Sequence, residues 1–60
     1  MKCKVEIEMS NAAFSVKPAM ELALILIQAG RRLNEYGFTP NEKVNLLDSN
    51  GNIVGFYRIK

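Results

Sequence analysis

The run from Pro18 to Tyr36 constrains the fold of this 60-residue chain more than any other feature. It is bracketed on both sides. A proline at the first helical position sacrifices only an N–H that would be unpaired there anyway. Gly37 follows Tyr36 directly and Pro40 stands three residues further on, which is how helices end. The interval between is rich in helix formers, and Arg31 and Arg32 put positive charge in its last two turns, where the helix dipole favours it. Once this helix is allotted, the remainder has room only for short segments. A chain of this size buries only about 60% of its unfolded surface, so a single domain, residues 1–60, with one thin core is expected.

The flanking segments read as strands. Lys2 to Met9 alternates with period two, placing Cys3, Val5, Ile7 and Met9 on one face and Lys2, Lys4, Glu6 and Glu8 on the other. Such a strand is half-buried, with Cys3 an inert, sheltered thiol. Between it and the helix, Asn11 is placed to cap a short turn and Phe14 to drop into the core. Lys43 to Leu47 and Ile53 to Ile59 form two further strands, joined by Asp48-Ser49-Asn50-Gly51-Asn52, whose Asn-Gly pair is a strong hairpin signal. A two-residue loop pairs Val44 with Tyr57. A three-residue loop pairs Val44 with Phe56 and Leu46 with Val54, and a bulge at Gly55 is a way to reconcile the two. The choice decides whether Phe56 or Tyr57 faces inward. The fold expected is α+β with the order β-α-β-β. Its sheet is three-stranded and antiparallel, in the order 1-3-2 with the most apolar strand central, and one helix packs on one face.

That helix carries more apolar surface than such a sheet covers. At about 100° per residue, Ile25, Leu26, Ala29, Leu33 and Tyr36 fall within about 60° of the line through Leu22 and make the sheet-facing stripe. Met20, Leu24 and Ile27 lie opposite, with Ala23 on one flank and Arg31 extending the line. A three-stranded sheet shelters one face of a helix, so the second stripe meets solvent, folded-over loops or another chain. Met20, Ala23, Leu24, Ile27 and Arg31 are therefore the candidate partner face, and a two-fold dimer with antiparallel helices is the simplest closed arrangement. Leu47, Ile53 and Phe56 form a secondary candidate on the outer sheet face, ranked below because it depends on the hairpin register.

Several function classes lose ground at once. The chain has no histidine and a single cysteine, which excludes an internal disulfide and argues against a zinc site or a catalytic base near neutral pH. The glycines are isolated, so no phosphate-binding loop is present. No enzyme activity, no catalytic residue, no metal and no cofactor is expected. The longest apolar run, Leu22 to Ile27, falls far short of the roughly 20 residues that span a bilayer. The N-terminus does not read as a secretory signal, so a cytoplasmic location without membrane association is the expectation. A net charge of +2 is a weak bias toward nucleic acid. Lys2, Lys4, Lys43, Arg58 and Lys60 are able to gather on one side of the sheet, with Glu6, Glu8, Glu35 and Glu42 diluting them, and either Phe56 or Tyr57 is able to stack on a base there.

Three segments together have a familiar form: Ile7-x-Met9-x-Asn11-Ala12-Ala13-Phe14, Glu21-Leu22-Ala23-x-Ile25-Leu26 and Leu46-x-Asp48-x-Asn50-Gly51-Asn52-x-Val54-Gly55. The chain resembles a group of short phage- and prophage-encoded proteins of unknown function. The resemblance implies a mobile-element accessory protein that binds host machinery, including bacterial immune systems, and performs no catalysis. In that group the positions of Leu24, Ile27, Leu47, Ile53 and Phe56 are commonly charged or polar, and here all five are apolar. The expectation is thus a small non-enzymatic protein-binding module that self-associates as a homodimer and modulates a host protein. A small nucleic-acid-binding regulator is the alternative.

Overall fold

The computed structural model describes every residue from Met1 to Lys60. In chain order it contains strand β1 (Cys3–Ile7), a 3-10 turn (Ala12–Phe14), helix α1 (Pro18–Tyr36), strand β2 (Val44–Leu47) and strand β3 (Ile53–Ile59). The three strands form one antiparallel sheet in the order β1-β3-β2. The expected β-α-β-β architecture and strand order are thus what the chain adopts, with α1 on one face of the sheet. Gly37 ends the helix at a φ of 67°, its N–H donating to the Leu33 carbonyl at 2.9 Å.

The β1–β3 ladder is regular, from Cys3 opposite Ile59 to Ile7 opposite Gly55, and a pair of backbone hydrogen bonds between Lys2 and Lys60 extends it. At Gly55 the backbones of the two strands lie close together. A Cβ there would lie 2.0 Å from the Glu6 carbonyl oxygen and 2.9 Å from the Ile7 Cα, so no side chain fits without displacing backbone.

The hairpin combines the two expected registers through a bulge, which falls at Val54 and not at Gly55. Val44 pairs with Tyr57 and Leu46 with Gly55, but Leu47 pairs with Ile53, leaving Val54 as the extra residue of a bulge. Because of that extra residue, Val54 and Tyr57 both reach the core although an odd number of positions separates them. Phe56 consequently points outward. The loop is the three residues Ser49, Asn50 and Gly51 between Asp48 and Asn52, as in the three-residue reading, and the two-residue pairing of Val44 with Tyr57 is recovered beyond the bulge. It is closed by the Asp48 N–H on the Asn52 carbonyl (2.9 Å) and the Gly51 N–H on the Asp48 carbonyl (3.1 Å), with Gly51 at a φ of 83°. The physical reason is local competition. The Asp48 carboxylate collects loop N–H groups that a tight two-residue turn would not present.

The core is small: Phe14, Ile25, Leu46, Val54 and Tyr57, with Ile7, Ala13, Ala29, Leu33 and Val44 packed around it. Helix α1 enters it along a single line, Glu21, Ile25, Ala29 and Leu33, spaced by four. Three members of the expected sheet-facing stripe lie outside this line: Leu22 is half-buried at its edge, Leu26 is 45% exposed and Tyr36 77%. Leu26 sits about 100° round from Ile25, beyond the narrow contact arc. Tyr36 overhangs. The helix is about 28 Å long, whereas β2, with 4 residues, spans about 13 Å.

Cys3, expected to be sheltered, is exposed. Val5 on the same face is 47% exposed, and of this strand's inner face only Ile7 joins the core's margin. One helix is about 10 Å across, which suffices for two strands spaced at about 4.8 Å but not for the far edge of a third.

Candidate functional site

Two surfaces and one internal cluster stand out beyond the core. The cluster is structural. Glu21 is 8% exposed and sits in the first turn of α1, where its carboxylate accepts from the Ser49 N–H (2.9 Å) and the Ser49 hydroxyl (2.8 Å). Asp48, 6% exposed, accepts from the Asn50 N–H and the Asn52 N–H, each at 2.9 Å, and from the Asn11 side-chain amide. Asn11 in turn caps the 3-10 turn by accepting from the Ala13 N–H at 3.2 Å, and Phe14 fills the core. The segment Asn11 to Phe14 is therefore both the cap and the plug read from the sequence, with a tie to the hairpin added. Burial pushes the Asp48 carboxyl up, but hydrogen bonds from the Asn52 backbone, the Asn11 side chain, the Asn50 backbone and the Asn52 side chain together hold it below its ordinary value. No group of three or more His, Cys, Asp or Glu side chains is close enough to hold a metal ion.

The first surface is the open side of α1. Met20 is 54% exposed, Leu24 45% and Ile27 52%, and Ala23 and Arg31 are exposed beside them. All five residues of the expected partner face thus share one side of the helix, and the chain's own loops do not shelter them. Leu26 widens the apolar arc at its edge. Gly30, on the same side, has open space beyond its Cα, so a second backbone is able to approach there.

The second surface is the sheet face opposite the helix. Paired residues project to the same side, so Lys4 with Arg58, Glu6 with Phe56, and Phe56 with Asn45 all lie here. Lys2, Lys4, Phe56, Arg58 and Lys60 line a cavity of about 320 Å³. The Lys43 Nζ lies 4.8 Å from the centre of the Phe56 ring and the Arg58 guanidinium carbon 5.9 Å from it. Cation–π contacts at exposed sites contribute about 0.5–1 kcal/mol, while like charges directly opposite on adjacent strands, as at Lys4 and Arg58, oppose folding. The Arg58 Nε is buried and has no hydrogen-bond partner. Charge is segregated along β1, with lysines at the Lys2 end and Glu6 and Glu8 toward the hairpin. At that far end Leu47 and Ile53 pair with each other and are 47% and 64% exposed. The secondary apolar set Leu47, Ile53 and Phe56 is therefore split: two residues lie at the hairpin end, and Phe56 sits among cations.

No family model, curated protein or solved structure matches this chain. No helix is long and apolar enough to cross a membrane.

Proposed function

We propose that this protein is a non-enzymatic protein-binding module whose working surface is the open side of α1, through which it self-associates as a two-fold dimer with antiparallel helices. The supporting observation is that Met20, Leu24 and Ile27 are about half exposed on a side of the helix that no other element of the chain covers. A two-fold axis places the same patch on both partners, so a surface without charge at its centre is complementary to itself. Ala23 and Gly30 keep the backbone low where the helices cross.

The magnitudes favour a reversible dimer. Full burial of a large aliphatic side chain is worth roughly 1.5–3 kcal/mol, so finishing the burial of a half-exposed one adds about 1 kcal/mol. Three such side chains from each copy, with Leu26 and the Arg31 stem at the rim, meet an association cost of at least about 4 kcal/mol. The surplus, about 4 kcal/mol with the rim included, corresponds to a Kd on the order of 1 mM. Modulation of a host protein, the role implied by the resemblance to phage-encoded proteins, would use the same face or the apolar hairpin end. A module of this kind acts by occupancy and needs no reaction centre.

Solution mass measured by sedimentation equilibrium across this concentration range tests the reading. Wild type is expected to move from monomer to dimer, and Ile27→Glu to remain monomeric with an unchanged circular dichroism spectrum. A wild type that is monomeric throughout, or an Ile27→Glu variant that still dimerises, would refute it.

A further inference from the structure

We infer that the outer face of the sheet is a binding site for single-stranded nucleic acid, with an unpaired base on Phe56 and the phosphodiester backbone along Lys2, Lys4, Arg58 and Lys60. This site is separate from the helix face and does not depend on self-association. Four cationic side chains and one aromatic ring line a single cavity, and no acidic residue does. Its volume, about 320 Å³, is at the small end of the range for ligand sites, which starts near 300 Å³. The bulge at Val54 matters here, because it is what turns Phe56 outward and leaves Tyr57 in the core.

The spacing favours a strand of nucleotides over an isolated anion. Lys4 on β1 with Lys2 just before it runs alongside Arg58 on β3 with Lys60 just after it, in a double row leading away from the ring, with Lys4 directly opposite Arg58. A flexible polyanion follows such a track, and the ring supplies the stacking surface that every base accepts. One feature of the free protein awaits a ligand: the like charges of Lys4 and Arg58 face each other across the ladder. A phosphate group placed between the two side chains relieves that repulsion. Lys43, an exposed side chain resting over Phe56, is free to swing from the ring to a phosphate when a base takes its place. A duplex is disfavoured because its bases are already stacked and the ring has nothing to receive. Glu6 and Glu8 repel the backbone from the hairpin end, so the strand is confined to the Lys2–Lys60 end.

Fluorescence anisotropy with labelled short oligo(dT) and oligo(U) tests the site, using the full chain. Binding is expected to weaken with salt, with a log–log slope of about −2 to −3 for three or four phosphates neutralised. Phe56→Leu is expected to lower affinity about tenfold, consistent with the loss of one stacked base. Lys4→Gln combined with Arg58→Gln should make the slope shallower by about one unit or more. Leu24→Glu should leave the affinity per subunit unchanged, which separates this site from the proposed dimer face. Should Phe56→Leu fail to fold, amide shifts on titrating oligo(dT) into wild type serve instead, expected at Lys4, Phe56 and Arg58 and not along α1. Absence of binding, equal affinity for duplex DNA or for a heparin fragment of matched charge, or binding insensitive to Phe56→Leu would each overturn the assignment.

Discussion

Glu21 and Leu24 lie less than one turn apart on the same helix, yet the carboxylate is 8% exposed and the leucine 45%. Polarity alone would rank them the other way. The difference shows that the position of α1 is decided by what the rest of the chain brings to it. On the Glu21 side the hairpin supplies two donors from Ser49, the core supplies Phe14, Leu46, Val54 and Tyr57, and the helix is held along one line. On the Leu24 side the chain supplies nothing. A buried carboxylate with both oxygens hydrogen-bonded is tolerable, and it fixes the hairpin tip against the first turn of the helix. A half-exposed leucine is tolerable as well, but it remains available to a partner.

Truncation on either side of the helix should break this comparison most visibly. Ile25→Ala removes the most buried side chain of α1, and a loss of about 2–5 kcal/mol is expected from denaturant unfolding. Leu24→Ala, measured the same way in dilute solution, should change stability by less than about 0.5 kcal/mol. Similar losses at the two positions would mean that the open side is covered in the folded monomer.

A smaller effect is expected at the clamp. Glu21→Gln keeps the shape but loses the charge, so two charge-assisted hydrogen bonds become neutral ones, with the Ser49 hydroxyl turning to accept from the new amide. The expected cost is about 1–3 kcal/mol. An unchanged unfolding midpoint would show that the hairpin tip holds its place without Glu21.

The smallest effect is a pH dependence from Asp48. Its carboxyl is held below the ordinary value in the folded chain, so the unfolded state binds the proton more readily. The contribution of Asp48 is then complete above its unfolded pKa, near 3.8, and is lost as pH falls through the lower folded value. Asp48→Asn should flatten the acid limb of the stability curve, and an acid limb identical to wild type would contradict the role given to the carboxylate.

Much of this architecture is legible in the sequence because it depends on local rules. Pro18 and Gly37 mark the ends of α1, alternation marks β1, and the apolar density of β3 places it in the centre. The Asn11 cap is legible because its partner Ala13 is two residues away, whereas Phe14 reads as a plug only by its apolarity, its partners Ile25, Leu46, Val54 and Tyr57 coming from across the fold. What escaped prediction is set by tertiary geometry. Glu21 reads as an ordinary first-turn acid, and nothing near it in sequence announces Ser49 as its partner across the fold. The bulge at Val54 follows from the loop chemistry of Asp48, which a turn signal based on Asn-Gly does not contain. Cys3, Val5 and Tyr36 are exposed because one helix is too narrow for the sheet's far edge and too long for β2, a mismatch of dimensions that periodicity does not encode. The outer-face cavity is a middle case. The list of cations was readable, but their convergence on Phe56 required the register.

The most direct test of a helix sheltered by its own chain on one side and by a second copy on the other is an isotope-filtered NMR experiment. Labelled and unlabelled chains are mixed at a concentration above the expected Kd. Intermolecular contacts from the methyl groups of Met20, Leu24 and Ile27, with none from Ile25, are the predicted result. Absence of any cross-copy contact at those three methyl sites, in a sample whose folded signals are intact, would contradict it.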